Sequence, residues 1–213
     1  MTQRAAIPAA SSPNVSNQDS QTWRHPGGKL VEKGAHTLTQ AELLAVLIGA
    51  GVQGRPALAI ANAVLDQYVG LFGIHRQATL EDLARIHGLG QRKAARILAA
   101  IELGRRLHRA MAPQKPRSES AADLFSSLPP ARESDSRNEG PSDADLLATI
   151  IGSGIQGRSP RVIAHELLAR FGSLTGLFNQ DMGDFLHVKG LNSVKTIRIA
   201  AALEITKRLA QAL

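Results

Sequence analysis

The chain has 213 residues, of which 43% are hydrophobic but only 3% aromatic, and it contains no cysteine. Its core must be built from Ala, Leu, Ile and Val, which predicts an all-α protein, and disulfides and thiolate-bound metals are excluded. A formal net charge of +7 suits a polyanionic partner such as nucleic acid, and no run approaches the ~20 apolar residues that span a bilayer, so a cytoplasmic protein without membrane contact is expected.

In chain order, residues 1–22 are rich in Ser, Asn, Gln and Pro, lack an apolar period and predict a disordered tail. The first helix signal is "TLTQAELLAVLIGAG". Thr39 is a natural N-cap, Glu42 completes a capping box, and Leu43, Leu44, Leu47 and Ile48 form one stripe that Gly49 can end, predicting a helix over 40–48. After the turn "GAGVQGRP", the spacing of Ile60, Ala61, Val64, Leu65 and Tyr68 predicts a second helix over 56–69. Thr79, with Asp82 three residues on, opens a brief helix carrying Leu83 and Ile86. A Gly-Leu-Gly then leads into the basic amphipathic stretch "QRKAARILAAIELGRR".

The segment 111–140 collects Pro, Ser and mixed charge and predicts a flexible linker. Beyond it the first pattern returns, because "SDADLLATIIGSGIQGRSPRVIAHELLARFG" lies on "TQAELLAVLIGAGVQGRPALAIANAVLDQYV" position by position. Ile60, Val64 and Tyr68 are answered by Ile163, Leu167 and Phe171. After a one-residue shift near Ala78, Gly88, Lys93 and Glu102 are answered by Gly190, Lys195 and Glu204. Two repeated units, over 23–110 and 141–213, follow from this.

The glycines carry the functional argument. A helix starting just after a tight turn leaves its first amides and its positive dipole end pointing outward, where an oxyanion can sit. Gly88 and Gly90 suit a hairpin pressed against a phosphate, and Gln91, Arg92, Lys93 and Arg96 would stand off the stripe of Ala94, Ile97, Leu98 and Ile101, free to meet neighbouring phosphates. From Arg76 to Arg109 there are eight basic residues against three acidic, so charge gathers here. The second unit offers Gly190, Asn192 and Lys195, with Asn192 in place of a glycine as the next most tolerant residue of left-handed backbone. Upstream, the hydrophobic-Gly-x-Gly pattern of "IGAGVQGRPALAIA" and "IGSGIQGRSPRVIA" adds Gly51, Arg55, Gly154 and Arg158 as members of a further hairpin in each unit. The competing reading of each motif is an ordinary helix connection.

"IHGLGQRKAARIL" resembles the helix-hairpin-helix motif of DNA repair and recombination proteins. Together with "HPGGKLVEKGAHTLTQAELLAVLIGAGVQGRPALAIANAVL" it resembles the N-terminal domain of the RadC family of bacterial proteins, as does the second copy from Ser142 onward. The resemblance implies a helical domain that binds DNA through hairpin amides on phosphates, without sequence preference. RadC proteins continue into a JAB-type domain similar to zinc metallopeptidases, with a His-x-His signature. No His-x-His exists here, the histidines standing at 25, 36, 75, 87, 108, 165 and 187, so no metal site is expected. Glu102 and Glu204 are lone helical carboxylates, and Arg105, Arg106 and Arg109 read as a solvated helix end, so no catalytic residue and no cofactor are assigned. The sequence therefore predicts a non-enzymatic protein binding duplex, single-stranded or branched DNA. The alternative is a protein-interaction module that binds itself or a RadC-type partner through degenerate hairpins.

Overall fold

Local signals place most helix ends in the computed structural model, which describes residues 25–111, 140–178 and 180–213. The tail expected over 1–22, and the linker expected over 111–140 from residue 112 to residue 139, lie outside the described residues. Helix α1 (Pro26–Lys33) starts with Pro at its first position and with the His25 ring accepting from the Gly28 amide. A 3₁₀ turn, Ala35–Thr37, leads to α2 (Gln40–Ile48), which carries the expected capping box of Thr39 and Glu42. Then come α3 (Ala57–Tyr68), α4 (Leu71–Gln77), α5 (Leu80–Arg85) and α6 (Gly90–Met111). The second repeat supplies α7 (Asp143–Ile151), α8 (Pro160–Phe171), α9 (Leu174–Leu177), α10 (Met182–Leu186) and α11 (Ser193–Ala212). The protein is all-α; no strand occurs among the described residues beyond two isolated bridges, Val52 with Arg55 and Ile155 with Arg158.

The sequence reading missed α1 and α4. In α4, Leu71 and Ile74 are buried, but seven residues give too few turns for a period to show. The one-residue change in repeat offset falls where α4 and α5 are answered by the shorter α9 and α10.

The buried residues of both repeats form one continuous core. Its centre is the pair α6 and α11, which run side by side in the same direction. Near their ends the His108 ring meets the Ala210 carbonyl at 3.0 Å; further back the buried Thr206 hydroxyl donates to the Ala100 carbonyl at 3.1 Å. Gly104 makes the close approach possible, because a Cβ there would lie 3.0 Å from Leu209 Cδ2. Fully buried Leu43, Leu47, Leu147 and Ile150 on α2 and α7 pack into the same core, each contributing about 2 kcal/mol through burial. Because α6 and α11 are parallel, their N-termini, and the two turns preceding them, lie at one end of the molecule.

No single helix among the described residues is long and apolar enough to cross a membrane. The bent pair α3 and α4 has the composition, but it buries Ile60, Val64, Leu71 and Ile74 in the core.

Candidate functional site

The turn between α5 and α6 is closed by the Leu89 amide donating to the Ile86 carbonyl at 3.0 Å, with Leu89 buried beneath it. Its two glycines differ in surroundings. At Gly88, φ is +89° and a Cβ would lie 2.7 Å from Ile60 Cδ1, so the backbone is pressed onto α3. At Gly90, φ is +61° and nothing lies within 4 Å of where a Cβ would stand, so the turn faces open solvent. Helix α6 begins on Gly90 itself, and no side chain caps its first amides among the described residues. Gly90, Gln91 and Arg92 are all exposed. A helix start with unmet amides, an open glycine and an exposed cation is chemically suited to an oxyanion.

The second turn repeats the frame but closes that opening. Leu191 donates to the Val188 carbonyl at 3.0 Å and is buried, and a Cβ on Gly190 would lie 2.6 Å from Ile163 Cδ1, matching the first turn. Asn192 differs from the expectation of a left-handed substitute for glycine. Its backbone is extended at φ −117°, and its side chain accepts from the Lys195 amide at 3.0 Å, capping α11 with the chain's own oxygen. Where the first hairpin shows Arg92, the second shows Val194, which is 61% exposed.

Lys93 and Arg96 do not stand free of the helix as the sequence suggested. The Lys93 ammonium turns back to the Gly88 carbonyl at 2.8 Å and the Ala50 carbonyl at 2.7 Å. Lys195 repeats this with Gly190 at 2.8 Å and Gly154 at 3.4 Å. Each lysine thus ties its hairpin to the upstream turn, because carbonyls left over by tight turns and helix ends attract the nearest cation. Burial, and then the charge of Arg96, hold Lys93 below the usual lysine pKa. Arg96 reaches the Leu47 carbonyl at the end of α2, at 3.4 Å.

The upstream turns are bridged two-residue reversals. Val52 and Arg55 exchange both backbone hydrogen bonds at 2.9 Å around Gln53 and Gly54, and Ile155 and Arg158 do the same around Gln156 and Gly157. Gly51 and Gly154 are required by contact, since a Cβ would fall 2.3 Å and 2.1 Å from the Arg55 and Arg158 carbonyl oxygens. The Arg55 guanidinium donates to the His87 carbonyl at 2.9 Å, and Arg158 to the Lys189 carbonyl at 3.1 Å while pairing with Glu166. These arginines join each upstream turn to its hairpin.

The remaining candidates are structural. Glu102 holds Arg105 at 2.6 Å and Arg106 at 3.0 Å, and Arg106 extends to Asp143 at 2.6 Å and to the Pro141 carbonyl. Glu204 holds Arg208 at 2.7 Å, and Arg208 donates to the His36 carbonyl at 3.0 Å. Each glutamate therefore aims an arginine across to the other repeat, a role hidden from the sequence because the arginine's further partner, Asp143 or His36, lies in that other repeat. Arg109 is exposed, as expected of a helix end. Among the described residues no group of three or more His, Asp and Glu is placed to hold a metal ion.

A family model described as UPF0758 N-terminal matches residues 18–95 and 138–197, segments that include both hairpins. The chain belongs to the UPF0758 N-terminal family. The family is RadC-like. Among its relatives, a UPF0758 protein of Halalkalibacterium halodurans is 40% identical over 91 residues, covering 43% of this chain and 39% of the relative. One from Chloroflexus aurantiacus is 39% identical over 103 residues, 48% of this chain and 44% of the relative. One from Bacillus cereus is 43% identical over 84 residues, 39% of this chain and 37% of the relative. The chain thus spans about two fifths of the length of these UPF0758 relatives. No solved structure matches it.

Proposed function

We propose that this protein is a non-enzymatic, cytoplasmic DNA-binding protein built from two copies of the UPF0758 N-terminal unit. In this reading each copy holds a helix-hairpin-helix motif, and the protein grips backbone phosphates of duplex, single-stranded or branched DNA without reading bases, in a repair or recombination setting. The observation that carries the reading is the start of α6: unmet amides at Gly90 and Gln91, an open left-handed glycine, and Arg92 exposed beside them. The parallel course of α6 and α11 supports it further, since two positive helix ends on one side of one body cost repulsion that a polyanion relieves. Fluorescence anisotropy against duplexes of unrelated sequence, single strands and branched DNA tests it. Binding that ignores sequence and weakens steeply with salt is expected, and no salt-sensitive binding at about 50 mM salt would refute it.

One observation favours a second reading, a protein-interaction module. Val194 and Leu58, 61% and 39% exposed, line an apolar groove of about 630 Å³ with Val46 and Ile197 beside the self-capped second hairpin. Charge reversal at Arg92 separates the two readings, because DNA binding would be lost and a protein contact in the groove kept.

A further inference from the structure

Between the two hairpins lies a junction where Arg96, expected from the sequence to meet a phosphate alone, is matched by Arg198 of the other repeat, a residue the hairpin motif does not call for. Arg96 on α6 donates to the Leu47 carbonyl at 3.4 Å, and Arg198, its counterpart on α11, donates to the Ile151 and Ile150 carbonyls at 3.0 and 3.5 Å. Each also reaches the turn that the other caps. Arg96 Nη2 lies 2.9 Å from where a Cβ on Gly152 would stand, and Arg198 Nη2 lies 4.0 Å from the corresponding point at Gly49. Two guanidiniums are therefore held side by side between the ends of α2 and α7, where Gly49 and Gly152 are exposed.

Capping accounts for only part of this arrangement. Two guanidiniums offer about ten N–H donors, yet among the described residues carbonyls engage only Nη1 of each, and the buried Arg198 Nε has no partner. Among the described residues no carboxylate pairs with either. Two helix C-termini bring a negative charge of about half an electron each, which leaves an excess of positive charge at the junction. Burial, and then the charge of Arg96, lower the pKa of Arg198 to about 10, the direction expected of a cation beside another without an anion between them.

We propose that Arg96 and Arg198 form one oxyanion site at the junction of the repeats, which takes a single phosphodiester group of a bound nucleic acid between two fork-shaped donors. The source of that phosphate rests on the DNA-binding reading; the site itself does not. The full chain is tested first with inorganic phosphate, following its thermal midpoint against chloride at matched ionic strength. Phosphate raises the midpoint of the wild type, and Arg96→Gln and Arg198→Gln each abolish the rise. Arg198→Lys keeps a cation for the end of α7, and so the fold should the glutamine variant lose it; its point charge lacks the two parallel donors of the fork and leaves a smaller rise than the wild type shows. With DNA, Arg198→Gln lowers the slope of log affinity against log salt by about 0.9, the loss of one phosphate contact on a duplex. A wild type indifferent to phosphate, or one stabilised no more than the Arg198 variants, overturns the site. If DNA binds wild type and both glutamine variants equally, the site fails and the DNA-binding reading stands. If no DNA binds while phosphate stabilisation needs both arginines, the DNA-binding reading fails and the site stands.

Discussion

Gly88 and Gly90 are two residues apart, yet they are glycine for different reasons. Gly88 is pinned by both space and conformation, so Gly88→Ala is expected to cost about 2–3 kcal/mol in urea unfolding, from overpacking against Ile60 and a left-handed backbone. Gly90 is constrained by conformation alone. Gly90→Ala should cost only about 1 kcal/mol of stability, while a methyl group at the hairpin opening weakens DNA binding about tenfold, equivalent to one charge-assisted hydrogen bond. The variant pair therefore separates a packing glycine from a binding one. That both positions needed glycine was legible in the Gly-Leu-Gly spacing. The course of Lys93 was not, because a helical period places a side chain off the apolar stripe but cannot say that its ammonium folds back onto the Gly88 and Ala50 carbonyls.

At the scale of elements, the two hairpins share one frame and differ in one cap. Asn192→Gly removes the side-chain oxygen that meets the Lys195 amide, at a stability cost of only a few tenths of a kcal/mol. It is expected to tighten DNA binding measurably in the anisotropy assay by opening the second helix start, and unchanged affinity would show that the cap is not what closes this hairpin. The contact between α6 and α11 is tested at Gly104, where a Cβ would meet Leu209 and the Thr206 carbonyl between 3.0 and 3.2 Å. Gly104→Leu should force the helices apart and lower stability by about 2–3 kcal/mol. Helices α2, α3 and α5 were legible from caps and period. Gly104 was not read as a crossing point, since its partner lies in the other repeat and no local pattern reports it.

At the scale of the molecule, one core joins the two repeats, and calorimetry is expected to show a single unfolding transition for the described parts of the chain. Acid should erode it in a defined way. Burial pushes Glu42 up, but the Thr39 amide and Lys29 together pull it down, and Arg105 and Arg106 likewise hold Glu102 below the usual range despite its burial. Both carboxylates bind protons more weakly folded than unfolded, so their stabilisation is full above the unfolded value of about 4.3 and is lost as pH falls through the lower folded values. The repeat itself was plain in the sequence. The way its halves interlock, with arginines of one repeat holding the turns and helix ends of the other, depends on contacts 37 to 172 residues apart in the chain and could not be read from spacing. The central claim is that phosphates meet the open start of α6, and amide chemical-shift mapping with a short duplex tests it most directly. The Gly90, Gln91 and Arg92 amides are expected to shift first and furthest, with Asn192 and Ser193 little changed; perturbations confined to the Val194 groove, or none at all, would contradict the account.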